Sequence, residues 1–349
     1  MLKLSRLYTM IVIVAVLLCG CGQTEEAAKG SKSLLVNGVD YLSVKGIPME
    51  EGATIAMVAT SADNQYWDAV KNGAVQAIQD LNNELGYTGK NEIKLSFAAP
   101  KKEDVIEQIN IIDQFLDKAP DALCVAFSDA SACKTQLDMA KNNGIKLIAF
   151  DTSDDGNLTE SVVATDNRAA ASEAAGKMFE AIDYEGKIAI IVHNASTETA
   201  QVRKQAIIDE MTQNYNDKKI QFVDIVYTTH KNRSEKEILS ELLGKHEDLA
   251  GIICTDLQTT EMVIDYAKEQ PEVAYKIVGF DTSEKIISEV GNLLVGTIAQ
   301  DSYCIGYATI VAAARSVAEM GNVEDIRTGY VWVDSDNLSG KEVQNVLHN

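Results

Sequence analysis

A series of short apolar runs in this chain ends in groups able to hold a polyhydroxylated ring. They are Ser61-Ala62-Asp63-Asn64-Gln65-Tyr66-Trp67, Ser128-Asp129, Asp151-Thr152-Ser153, Thr165-Asp166-Asn167, His193-Asn194, Asp256, Asp281-Thr282 and Gln300. Carboxylates, amides and hydroxyls offer hydrogen bonds around a ring's rim. Tyr66 and Trp67 add flat apolar faces for its C–H surfaces. That is the chemistry a sugar requires. Asp and Asn in such places also cap the next helix, which is the expectation for Asp63, Asp129 and Asp166. Capping alone explains neither the adjacent aromatics nor the isolated Gln300. The four histidines, His193, His230, His246 and His348, have no metal-ligand spacing. There is no Gly-x-Ser-x-Gly elbow and no phosphate-binding Gly-x-x-x-x-Gly-Lys loop. Neither catalysis, a metal nor a cofactor is expected.

These residues follow elements of an alternating pattern. Ala53 to Thr60 is an apolar run suited to a buried strand, and Tyr66 to Leu85 carries Val70, Ala74, Ala77, Ile78 and Leu81 at helical spacing. Ile93 to Ala98 precedes a helix over Glu103 to Leu116, and Ala122 to Phe127 precedes one over Ala130 to Asn142. Lys146 to Phe150 closes this series, with Gly144 placed as a helix-terminating glycine. A second series runs Lys187 to Val192, Thr197 to Gln213, Ile220 to Val226, Ser234 to Leu243 and Gly251 to Cys254. It continues through Thr259 to Glu269, Lys276 to Phe280, Ser283 to Val290 and Val295 to Ala299. Strands alternating with helices of this length predict parallel sheets in an α/β fold, and ligands in such folds sit beyond the strands' carboxyl ends.

The N-terminus adds an address. Lys3 and Arg6 precede an apolar run, Tyr8 to Leu18, which is too short to span a bilayer and reads as a secretory leader. Leu18-Cys19-Gly20-Cys21 resembles the bacterial lipobox, which makes residues 1–20 a signal peptide and Cys21 the lipidated, membrane-anchored N-terminus. Residues 21–52 are expected to be a tether, because the stretch after Cys21 is polar and aperiodic. The formal charge is −21, more negative still without Lys3 and Arg6, which excludes nucleic acid as a partner. Cys124, Cys133, Cys254 and Cys304 remain beyond the leader, without a Cys-x-x-Cys pair, and are expected to be free thiols.

From about Ala53 to Val333 the chain resembles the periplasmic sugar-binding proteins of ribose/galactose type, the substrate-binding components of ABC importers. Asn64-Gln65-Tyr66-Trp67, Lys71-Asn72-Gly73-Ala74, Ile148-Ala149-Phe150-Asp151, Val163-Ala164-Thr165-Asp166-Asn167, Val278-Gly279-Phe280-Asp281 and Gly296-Thr297-Ile298-Ala299-Gln300 carry the resemblance. It implies two Rossmann-like lobes joined by three crossings: residues 53–165 plus 301–327, and residues 166–300 plus 328–349. It also implies roles. Tyr66 and Trp67 stack on the sugar beside Asn64, so Trp67→Ala should remove affinity without unfolding the protein. Asp151 accepts from hydroxyls, with Thr152 following it, and Arg203 donates from the second lobe, where Asp256, Asp281 and Gln300 complete the polar set. Three departures stand out. Thr152 occupies a position where ribose-type members often have a second arginine, Ala126-Phe127-Ser128 replaces an Asn-Pro-Thr-like turn, and no aromatic occurs near His230-Lys231-Asn232-Arg233. The function implied is capture of a small-molecule sugar outside the cell membrane by a monomeric lipoprotein, with delivery to an ABC permease. The alternative is a sugar-sensing lipoprotein that signals to a membrane histidine kinase or chemoreceptor.

Overall fold

The computed structural model describes residues 33–62, 65–154, 158–228, 233–270 and 272–348. The leader, Cys21, Asn64 and the His230-Lys231-Asn232 stretch lie outside the described residues.

In chain order the elements are β1 (Leu35–Val36), β2 (Val39–Asp40), β3 (Thr54–Val58), α1 (Gln65–Leu85), β4 (Lys94–Ala98), α2 (Val105–Leu116), β5 (Ala122–Val125), α3 (Lys134–Asn142), β6 (Lys146–Phe150) and β7 (Ser161–Thr165). There follow α4 (Asn167–Ala181), β8 (Glu185–Val192), α5 (Glu198–Asn214), β9 (Lys219–Tyr227), α6 (Glu235–Lys245), β10 (Leu249–Cys254), α7 (Leu257–Lys268), β11 (Lys276–Phe280), α8 (Glu284–Glu289) and β12 (Leu294–Gln300). Last come α9 (Ser302–Val317), β13 (Asp325–Thr328), β14 (Tyr330–Val333) and α10 (Lys341–His348).

The strands form two six-stranded sheets and one hairpin. The first sheet has the order β13-β7-β6-β5-β3-β4, all parallel. The second has the order β14-β12-β11-β10-β8-β9, parallel except for β14 against β12. Central strands such as β5 are buried along their whole length, as helices on both faces require. The chain passes between lobes three times, after Thr165, after Gln300 and after Thr328. Asp166 N donates to Thr328 O at 3.3 Å and Asp301 N to Gly329 O at 3.2 Å, which ties the three crossings into one hinge.

Three helices, α4, α9 and the C-terminal α10, escaped the periodicity reading. In α4 the buried face is mostly alanine, Ala170, Ala171, Ala174 and Ala175, a face too small to stand out. In α9 twelve of its sixteen residues are buried, so no polar stripe marks its period. Two glycines press α9 onto α1. A Cβ on Gly73 would lie 2.0 Å from Tyr303 O, and one on Gly306 would lie 1.8 Å from Val70 O. Each glycine thus lets the other helix's backbone approach.

The expected tether extending through residue 52 is corrected by the packing. Leu34, Tyr41, Val44, Ile47 and Met49 are buried in the first lobe's core. Tyr41 accepts a hydrogen bond from Val323 N at 3.0 Å, and Tyr87 donates to Met49 O at 2.8 Å. From Leu34 onward this segment is a folded strap on lobe one. Its buried residues are spaced seven, three, three and two apart and hold neither a helix nor a strand period throughout, which is why the reading missed it. Cys124, Cys133, Cys254 and Cys304 are free thiols, the first three buried.

Candidate functional site

The carboxyl ends of the two sheets supply the candidate site. Phe-Asp-Thr-Ser occurs at both: Phe150 to Ser153 after β6 and Phe280 to Ser283 after β11. Each aspartate turns the chain in the left-handed region, Asp151 at φ 60° and Asp281 at φ 67°. Each N–H reaches the next strand, Asp151 N to Val163 O at 2.8 Å and Asp281 N to Ile298 O at 2.7 Å. Left-handed aspartate is uncommon and is a marker of functional turns.

On lobe one, Tyr66 in the first turn of α1 donates its hydroxyl to Asp151 Oδ1. Its ring meets Trp67 edge to face, with centroids 4.9 Å apart, and Trp67 meets Phe150 the same way at 6.0 Å. Trp67 is only 6% exposed and belongs to the lobe-one core. Removing it therefore opens a core cavity as well as a binding face, so Trp67→Ala carries a stability cost beside its effect on affinity. Burial raises the Asp151 pKa, against the Arg203 charge and the Tyr66 bond. The Tyr66 pKa is raised by burial and by the Asp151 charge. Thr152 is buried, and its hydroxyl accepts from Phe127 N at 2.5 Å and donates to Phe127 O at 3.1 Å, fastening the β6 turn to the end of β5.

On lobe two, α5 presents Arg203, which is 3% exposed. Its Nε donates to Asn167 Oδ1 at 2.8 Å, Nη1 to Thr255 O at 2.8 Å and Nη2 to Gln300 Oε1 at 3.1 Å. The guanidinium lies 3.9 Å from the centroid of the Phe280 ring, a cation–π contact. Gln300 is the junction of the site. Its Oε1 also accepts from Thr165 Oγ1 at 2.7 Å, at the hinge, while its Nε2 donates to Asp281 Oδ1. Asp281 Oδ2 accepts from Leu257 N at 2.9 Å. Burial pushes the Asp281 carboxyl up to about 6, with Arg203 and Gln300 opposing and the Asp256 and Asp151 charges adding. Asp256 is the N-cap of α7, its Oδ1 accepting from Thr259 N at 2.8 Å; it borders the site as a half-buried charge.

The structure therefore brings Tyr66, Asp151, Arg203, Asp281 and Gln300 together, with Trp67 behind Tyr66, Thr152 behind Asp151 and Asp256 at the edge. Asp166 caps α4 through Ala169 N at 3.0 Å, and Asp129 accepts from Ala132 N at 3.0 Å. Sequence reasoning did not assign Asn167, which orients Arg203. It placed His193 after a strand but gave it no role; its Nδ1 lies 2.9 Å from Thr255 Oγ1, and burial lowers its pKa to about 4. Glu103 and Glu198 were missed as well. Both carboxyls are raised by burial, and both feel the Asp151 charge. Glu103, before the Asp104 cap of α2, and Glu198, which opens α5, carry no signal of a site in the sequence. Asp151, Asp281 and Glu198 thus face the Arg203 charge, with Arg327 also beside Glu198, while Glu103 faces Asp151 and Asp256. Among the described residues no group of histidines, cysteines and carboxylates is arranged to hold a metal. No helix among them is long and apolar enough to cross a membrane.

The periplasmic binding protein domain family matches residues 55–320. Among curated proteins, the ribose import binding protein RbsB of Bacillus subtilis strain 168 is 20% identical over 265 residues, covering 74% of this chain and 80% of that protein. A solute binding protein of an ABC transporter from Agrobacterium vitis, solved with alpha-D-tagatopyranose, superposes with a TM-score of 0.76 at 20% identity, over 84% of this chain and 98% of its own. GanP, a glucose-galactose binding protein from Geobacillus stearothermophilus, does so at 0.74 and 22% identity, over 83% and 99%. At these identities the solved structures attest the fold: two α/β lobes of the periplasmic binding type. Because the family match spans most of the sequence, this chain belongs to the periplasmic binding protein domain family.

Proposed function

We propose that this protein is the solute-binding component of an ABC importer and captures a neutral sugar between its lobes. The observation that carries the reading is the composition of the facing sheet ends. Lobe one offers an aromatic pair and a carboxylate, and lobe two a guanidinium, a carboxylate and an amide wired to the hinge. Stacking faces opposite fixed donors and acceptors suit a polyhydroxylated ring. The surplus of carboxylates over cations disfavours a uronic acid or sugar phosphate, whose charge would be repelled. The names of the relatives, which include binders of ribose, tagatose, glucose and galactose, agree in ligand class.

In this reading Tyr66 and Trp67 supply the apolar face, and Asp151 and Asp281 accept from hydroxyls on opposite sides. Arg203 donates its remaining N–H groups, while Thr152 and Asn167 hold Asp151 and Arg203 in place. Closure about the hinge follows because only the closed form lets both lobes touch the ligand. The closed body, held to the cell membrane by lipid on Cys21, then docks on the permease as a monomer.

The test is a thermal-shift screen of the chain from Gly22 onward against pentoses, hexoses, uronic acids and amino acids. A ligand at 1,000 times its dissociation constant stabilises the fold by about 4.1 kcal/mol. One neutral sugar should stand out. A shift from an amino acid alone would keep the fold and overturn the ligand. The anchor has its own check: Cys21→Ser should move the protein from the membrane fraction to the medium or periplasm.

A further inference from the structure

We infer that Asn194 and Glu103 form a latch between the lobes at the cleft mouth, on the side away from the hinge. Asn194 Nδ2 of lobe two donates to Glu103 Oε1 of lobe one at 3.1 Å. The sheet topology gives this bond its leverage. Glu103 follows β4, at the far edge of the first sheet from β13 and β7, the strands that run into the hinge. Asn194 follows β8, four places from β14 and three from β12 in the second sheet. At about 4.8 Å per strand, Glu103 stands roughly 24 Å from the hinge edge and Asn194 roughly 19 Å. At such a radius, opening by about 10° moves the mouth by roughly 4 Å, enough to break a single hydrogen bond.

Both partners are held ready for each other. Asn194 Oδ1 accepts from Ser196 N at 2.7 Å, an Asx turn that fixes which end of the amide is the donor and where it points. Asp104, next to Glu103, caps α2 by accepting from Glu107 N at 2.9 Å, which settles the backbone from which Glu103 extends. The Glu103 carboxyl also faces the charges of Asp256 on lobe two and Asp151 on its own lobe. Closing the cleft therefore brings like charges together, and the latch offsets that repulsion with one charge-assisted hydrogen bond. It acts on the open–closed equilibrium and not on ligand contact, so it scales affinity for whatever the cleft accepts.

The test needs no ligand and does not depend on the sugar reading. A donor–acceptor dye pair is placed on bio-orthogonal residues at exposed Gln114 on α2 and exposed Glu235 on α6, in the full chain without added sugar. Asn194→Ala and Glu103→Ala should each lower energy transfer, with the closed-to-open ratio falling about tenfold, or 1.4 kcal/mol. The double variant should open no further than either single one. Glu103→Gln keeps an acceptor oxygen and should stay near wild type, whereas Asn194→Asp sets two carboxylates face to face and should open the cleft most. Unchanged melting temperatures would show that the readout is opening and not unfolding. Transfer equal to wild type in all variants, or a double variant that opens by the sum of the singles, would overturn the latch.

Discussion

Phe-Asp-Thr-Ser serves two different ends in the two lobes. The backbone is the same in both: a buried strand, a left-handed aspartate, and an N–H returned to the next strand. What rests on the phenylalanine differs. Phe150 supports Trp67, and so an apolar wall, whereas Phe280 lies beneath the Arg203 guanidinium and supports a charge. The aspartates differ likewise. Asp151 receives a phenol, and Asp281 an amide and a backbone N–H. A repeated turn fixes where a carboxylate stands, while the residues packed against it decide what the carboxylate does. In the proposed reading, one lobe is the stacking half of the cleft and the other the hydrogen-bonding half.

The largest effect that would break this division is expected at Trp67. Trp67→Ala should lower unfolding free energy by about 3–5 kcal/mol, as large aromatic truncations in cores do, measured by urea denaturation; a loss below about 1 kcal/mol would mean that lobe one does not use this ring as a wall. Next comes Arg203→Met, which takes its donor from Asn167 Oδ1 and Thr255 O and leaves Gln300 Oε1 with the Thr165 hydroxyl. It should weaken sugar binding by roughly 1.5–3 kcal/mol or more in calorimetry, and binding at full strength would remove the guanidinium from the site. Thr152→Val takes away the hydroxyl that ties Asp151's turn to Phe127 and should cost about 1–3 kcal/mol in stability, with little change of ligand preference. If ligand preference changes instead, Thr152 touches the sugar directly.

The smallest effect sharpens the chemistry of lobe two through pH. Asp281 sits up near 6, so folding takes up its proton and its contribution falls as pH rises from about 4 to 6. His193 sits down near 4, so folding sheds its proton and its contribution rises between about 4 and 6.5. The two slopes oppose each other in one window. Melting temperatures of Asp281→Asn should climb with pH more steeply than wild type there, and those of His193→Gln less steeply. Parallel curves for all three proteins would place both groups outside the desolvated cleft.

Much of this was legible in the sequence, for physical reasons. Parallel strands buried on both faces write themselves as apolar runs, and the position after each run is where a ligand edge must lie. Tyr66, Asp151, Asp281 and Gln300 could therefore be named with no coordinates, whereas Arg203, inside α5, was named only through the family resemblance. Helices without contrast could not: α4 shows an alanine face, and α9 is buried nearly all round. Contacts made across the cleft were equally hidden. Glu103 and Asn194 lie 91 positions apart, and neither residue type nor spacing records that folding brings them together. Asp256 shows a different ambiguity: it caps α7 through Thr259 while bordering the cleft, and its post-strand position in the sequence signals both roles alike.

The strap from Leu34 to Met49 has a practical consequence for anyone making this protein. The family match begins at residue 55, so a gene fragment designed from kinship alone would start just after the strap. Such a fragment would lack the tyrosine that fills lobe one and satisfies Val323 N, leaving an apolar socket open to water. Kinship and folding draw different borders here, and a fragment meant for a ligand screen has to respect the second.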